Sequence, residues 1–273
     1  MNDDWDSYFC TVEDKPASLV VNLGLAGEAD AISHPVLCYV SILLRNPDPE
    51  GFPVPDEEET IAAMEDSLVE SFHAPDIGRC AGHCLTDGRM DVFFYLESND
   101  NWSERVTAVL DPFPSHQWEA GSHDDPEWEL YFSFLYPDDV SMLHIQNRRV
   151  CDQLTDQGDD LSVSRRLEHL AIFRSHENAT TFAATAKEMG YALDSIDSMD
   201  SMEETDPLTE MEQDGQEPFP AAMDSSAPLR VWQVRLSRPD CPEASDEISL
   251  LLFNLAREHN GEYFGWSCAS LES

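Results

Sequence analysis

The stretch Pro242-Glu-Ala-Ser-Asp-Glu-Ile248-Ser-Leu-Leu-Leu-Phe-Asn-Leu-Ala-Arg-Glu-His259-Asn-Gly261 decides the reading of this chain's second half. Ile248, Leu251, Leu252, Leu255, Ala256 and His259 fall on one helical stripe, and Gly261 stands where a C′ residue ends a helix. A strand over 262–269 follows, and one over 229–238 precedes it, rich in β-formers. Further upstream come a strand over 165–174, a helix over 177–189 closed by Gly190, and a strand over 191–196. The order is βαββαβ, the ferredoxin-like split βαβ plan.

Between the second and third of these strands lies an acidic insertion, 197–226. It carries Asp197, Asp200, Glu203, Glu204, Asp206, Glu210, Glu212, Asp214, Glu217 and Asp224, with no Lys or Arg. A tether of this composition favours an interaction protein over an enzyme. In the split βαβ plan the first and third strands are central neighbours, and here they hold Arg165, Arg166, Arg174, Arg230, Arg235 and Arg238. Two readings compete for these arginines. Either they pair with nearby carboxylates at strand ends, or Arg165, Arg166, Arg230 and Arg235 form a basic platform. Such a platform would receive an anionic ligand or be masked by the tether.

The first half reads differently. Residues 5–12 and 17–25 suggest a hairpin, and 36–44 a strand ending at Asn46-Pro47-Asp48-Pro49. Asp56 starts a helix, since acidic residues fill its first turn and Ile61, Met64, Leu68 and Phe72 recur at helical spacing. Segments 77–85 and 90–97 flank Asp87-Gly88, a strong hairpin signal. A short helix is expected over 101–110 and a strand over 128–136. A helix capped by Asp138 or Asp139 then runs through Met142, Ile145, Val150 and Leu154 to Gly158. The reading is therefore α+β in two domains, 1–160 and 161–273.

The 273 residues carry a formal charge of −40, which disfavours direct contact with nucleic acid or anionic membrane. Lysine is confined to Lys15 and Lys187. Solvation in a saline setting and attraction to a basic partner both fit this composition. Seven cysteines, no basic or apolar leader after Met1, and no apolar run near the ~20 residues of a membrane span point to free thiols in a cytoplasmic protein.

Catalytic signatures are missing: there is no phosphate-cradling loop, no G-x-S-x-G elbow and no H-E-x-x-H. Gly24-Leu-Ala-Gly27 lacks a third glycine. Cys80, His83 and Cys84 could supply three zinc positions, which keeps an enzyme or metal protein as the rival class. On a regular strand, however, Cys80 and Cys84 share one face and His83 points to the other. Carboxylate pairs such as Asp124-Asp125 and Asp159-Asp160 are expected by chance among 55 acidic residues. His169 sits mid-strand among Leu167, Leu170 and Ile172, as a core imidazole would. Trp232 shares a face with Val234 and Leu236, which suits packing better than base stacking.

The ending Glu258-His-Asn-Gly-Glu-Tyr263-Phe-Gly-Trp266, with the leucine-rich helix and Arg166-Leu-Glu-His169-Leu-Ala-Ile-Phe173, resembles the bacterial regulator of ribonuclease E activity B, from about Leu161 onward. Upstream, Trp5, Lys15-Pro16-Ala17-Ser18, Phe94-Tyr95, Asp125-Pro126-Glu127-Trp128, Leu135-Tyr136-Pro137 and Asn147-Arg148 resemble the bacterial domain of unknown function 695. The first resemblance implies a ferredoxin-like domain and non-catalytic control, in which the protein binds the ribonuclease and lowers RNA cleavage. The expected partner is ribonuclease E or another basic protein, with electrostatic steering from the acidic chain. Tyr263, Trp266, Glu203, Glu204, Glu210 and Glu212 are the expected contact residues, and no cofactor is expected.

Overall fold

The computed structural model describes residues 3–27, 34–74, 76–200 and 230–271. They divide into two compact units, 1–145 and 146–273. The division falls inside a helix, Asp139–Asp156, whereas the expected boundary at 160/161 lies past that helix's end.

The first unit is built on an antiparallel sheet of β1 (Trp5–Val12), β2 (Lys15–Asn22), β3 (Val36–Leu43), β4 (Gly78–Thr86), β5 (Arg89–Leu96) and β6 (Gln117–Asp124), ordered β1-β2-β4-β5-β3-β6. Alternating side chains feed two cores. Cys38, Val40, Ile42, Phe94 and their neighbours meet Met64, Leu68 and Phe72 of α1 (Pro55–Phe72) and Trp102 and Val106 of α2 (Trp102–Leu110). On the other face Leu19, Val21, Leu37 and Tyr95 pack with Trp128, Tyr131 and Leu135. Glu57, buried in the first turn of α1, accepts the Arg45 and Asn46 backbone N–H groups at 2.6 and 3.1 Å and contacts His116 Nε2 at 2.9 Å.

One expectation for this unit is overturned. Residues 128–136 form no strand, and Tyr131–Leu135 is a single π-helical turn. The cause is tertiary. The Asp125 carboxylate accepts the N–H groups of Glu129 and Leu130 at 2.8 and 3.1 Å and the Tyr95 hydroxyl at 2.6 Å. Trp128, at φ +54, stacks on Tyr95 with centroids 4.0 Å apart. The strand lies earlier, at β6, a polar segment without alternation. Among the described residues it pairs only with β3, at the sheet edge, where one side needs no partner.

In the second unit β7 (Arg165–Phe173), α4 (His176–Glu188), β8 (Ala192–Asp200), β9 (Arg230–Asp240), α5 (Ser245–Glu258) and β10 (Gly261–Ser267) follow the expected βαββαβ order. The Asp139–Asp156 helix, α3, contributes its half after Ile145 to this unit. The sheet is antiparallel, ordered β10-β7-β9-β8, so the first and third strands are central neighbours. Leu167, His169, Ala171 and Phe173 of β7 point into the core with Phe182, Ala186, Leu252 and Ala256, while Arg166 and Glu168 are exposed on the opposite face. At the end of α5, Asn260 takes the left-handed position at φ +54, and Gly261, expected there, opens β10 instead. A Cβ at Gly261 would overlap the Phe173 ring.

Candidate functional site

One face of the second unit's sheet carries helices, and the other is open. Arg166, Glu168, Leu170, Asp194, Arg235 and Phe264 line a groove of about 400 Å³ on the open face. Their position follows from strand parity, because Arg235 lies opposite Leu170 across the central β7–β9 pair. Arg166 Nε is 3.2 Å from Glu168 and its Nη2 is 2.9 Å from Asp194, which also accepts the Ser237 hydroxyl at 3.1 Å. Such exposed pairs are worth at most about 1 kcal/mol, so an incoming ligand can replace them. No hydrogen bond or ion pair joins the Arg235 side chain to another described residue.

The floor of the groove is shaped by a β-bulge in β10. Tyr263 pairs with Ala171 and Trp266 with His169, and the extra residue between them is Phe264. Gly265 accommodates the bulge at φ +112. As a result Tyr263 and Trp266, three apart in sequence, both turn inward and are only 7% and 8% exposed, whereas Phe264 is 51% exposed. Tyr263 hydrogen-bonds His169 Nδ1 at 2.9 Å. Desolvation pushes His169 down to about 4, so the imidazole is neutral at pH 7. Its Nε2 is buried without a hydrogen-bond partner among the described residues. The Trp266 indole donates to Asn147 Oδ1 at 3.0 Å, and Asn147 Nδ2 donates to Asp246 and Ser249, both at 2.7 Å. These bonds tie α3 to β10 and α5.

Of the four arginines in the expected platform, the fold brings Arg166 and Arg235 together and sets Arg165 and Arg230 apart. Arg165 is turned into the protein and holds Asp159 at 2.6 Å, which keeps that carboxyl below its ordinary range. Arg230 stands exposed at the start of β9, opposite Asp200. Glu203, Glu204, Glu210 and Glu212 lie outside the described residues.

Cys80, His83 and Cys84 are also separated, against the expectation that the two thiols share a face. A bulge between Cys80 and Gly82 shifts the parity of β4. Cys80 therefore enters the core beneath α1, while Cys84 enters the core on the other side of the sheet. His83 contacts Glu65 of α1 instead. Burial raises both thiols, Cys84 to about 12, so neither supplies a thiolate readily. Among the described residues no group of three His, Cys, Asp or Glu side chains is arranged to hold a metal.

Comparison with known families supplies what geometry alone does not. Residues 3–136 match the family of unknown function DUF695, and residues 144–268 match the family Regulator of ribonuclease activity B (RraB). The chain is a DUF695–RraB fusion. The second match spans the whole β-sheet of the second unit, together with most of α3. No curated protein matches the chain. Among solved structures, one match is an unknown protein from Galdieria sulphuraria, 10% identical, covering 86% of this chain and 99% of that one. Its TM-score of 0.23 carries no argument about fold or function.

Sequence reading missed two exposed features of the RraB unit. Phe264 was hidden by strand parity, and the signal for it was the Gly265 that permits the bulge. Leu251, placed on the buried stripe of α5, is 41% exposed, because the inward stripe is centred on Ile248, Leu252 and Ala256. No helix is long and apolar enough to cross a membrane among the described residues.

Proposed function

We propose that this protein is a non-catalytic regulator that binds a ribonuclease or another basic protein through its RraB unit and slows RNA cleavage. The match of residues 144–268 to a family of ribonuclease regulators carries this reading. The open sheet face supports it as a contact surface for a protein, with an exposed aromatic at Phe264. Tyr263 and Trp266 serve the contact from beneath, by holding the bulge that projects Phe264. Glu203, Glu204, Glu210 and Glu212 add to the charge that steers a basic partner, and the protein acts in the cytoplasm without a cofactor.

The test is an RNA-cleavage assay with a purified ribonuclease E-type enzyme and the intact chain, paired with co-elution at low and moderate salt. Slower cleavage and a complex that weakens with salt are expected. An unchanged cleavage rate with no co-elution at low salt removes the reading.

A further inference from the structure

We propose that the outer groove along α5 is a docking site for a basic amphipathic helix of a partner protein. The inference rests on the protein-binding reading above and adds a second surface, apart from the open sheet face, with its partner chemistry. Glu247, Leu250, Leu251, Asn254, Leu255 and Glu258 recur at positions i, i+3, i+4, i+7, i+8 and i+11, so they form one continuous stripe along the helix. Met189, at the end of α4, supplies a second wall, and the groove encloses about 550 Å³. Leu255, 8% exposed, is shared with the stripe facing the sheet, whereas Glu247, Leu251, Asn254 and Glu258 are exposed. Leu251 and Met189 are 41% and 36% exposed, which is the wrong side of α5 for the unit's own core.

Charge decides the occupant. Glu247 and Glu258 close the two ends of a trough that is apolar except for Asn254, and neither makes an ion pair or hydrogen bond with a described residue. The residues outside the description contain no Lys or Arg. The carboxylates of the sheet face differ, since Glu168 and Asp194 are both occupied by Arg166. An apolar trough with uncompensated carboxylates at both ends matches a helix that is leucine-rich on one face and lysine- or arginine-rich on its flanks. The two carboxylates stand eleven positions apart on α5, so a partner helix of roughly three turns, ~16 Å, reaches from one to the other.

The test uses the full chain and a fluorescein-labelled peptide of about sixteen residues, patterned with Leu at helical spacing and Lys on the flanks. A second peptide carries Glu for Lys. Fluorescence anisotropy is expected to show saturable, salt-sensitive binding of the Lys peptide alone. Leu251→Asp, at an exposed position, and the double variant Glu247→Lys/Glu258→Lys should each weaken it about tenfold or more. Glu104→Lys, a charge reversal at an exposed position of α2 in the first unit, should leave it unchanged. Equal affinity in both groove variants, equal binding of the Glu peptide, or no binding overturns the site. So does sedimentation showing a dimer that Leu251→Asp disperses, because the groove then belongs to a second copy. Failure here with RNA cleavage still slowed by the intact chain leaves the regulator reading standing. Peptide binding that both groove variants weaken, without any effect on cleavage, supports the groove and removes the ribonuclease.

Discussion

Gly82 shows how much one residue decides. It sits at φ +147 in the bulge of β4, and a Cβ there would lie 2.1 Å from the Val20 carbonyl oxygen, a backbone atom that cannot swing aside. Gly82→Ala should therefore cost at least about 2 kcal/mol, read from the urea midpoint of the protein. His169 is the corresponding electrostatic position. Its folded pKa lies below the ordinary value of 6.5, so between 6.5 and about 4 the unfolded chain binds the extra proton and stability falls as the pH is lowered. The loss is as much as about 3 kcal/mol. His169→Gln should flatten this slope when urea unfolding is compared at pH 7 and near pH 4.5, and an unchanged slope would assign the acid sensitivity elsewhere. Glu57 and Asp125 act in a lower window. Burial raises both, but hydrogen bonds outweigh it and leave them below their ordinary values, so their stabilisation fades only as pH falls through those depressed values.

At the scale of elements, helices with a clean periodicity were legible and short-range polar geometry was not. The stripe of Ile61, Met64, Leu68 and Phe72 placed α1 because four apolar side chains at helical spacing have one compact solution. Residues 128–136 misled because their aromatics are good β-formers, and only the distant Tyr95 and the Asp125 carboxylate turn them into a π-helical turn. The α3–β10 junction depends on a polar chain of the same kind. Asn147→Ala would strand the buried Trp266 N–H and remove two bonds to α5, at a cost of about 2–4 kcal/mol. The denaturant midpoint of the RraB unit is expected to fall accordingly, with Trp266 fluorescence as the reporter.

For the whole molecule the dominant quantity is the formal charge of −40. Self-repulsion of that size weakens a folded chain most at low salt, so raising NaCl from ~20 mM to ~500 mM should lift Tm by about 5 °C or more. Differential scanning fluorimetry checks this, and a flat response would mean the acidic side chains lie too far apart to repel. The same salt series should weaken capture of a basic partner. Stability and binding are thus expected to respond in opposite directions.

The sequence by itself determined the α+β class, the βαββαβ order of the second half, most helices and hairpins, and the two family resemblances. It could do so because periodicity, turn residues and charge are local properties of the chain. Which arginines meet was left to the tertiary structure, since Arg165 turns inward to Asp159 while Arg166 and Arg235 share the open face. The same holds for Tyr263, Trp266 and Phe264, and for Cys80 and Cys84. In each case a single bulge reverses strand parity, and a bulge is selected by pairing with a neighbouring strand that lies far away in sequence.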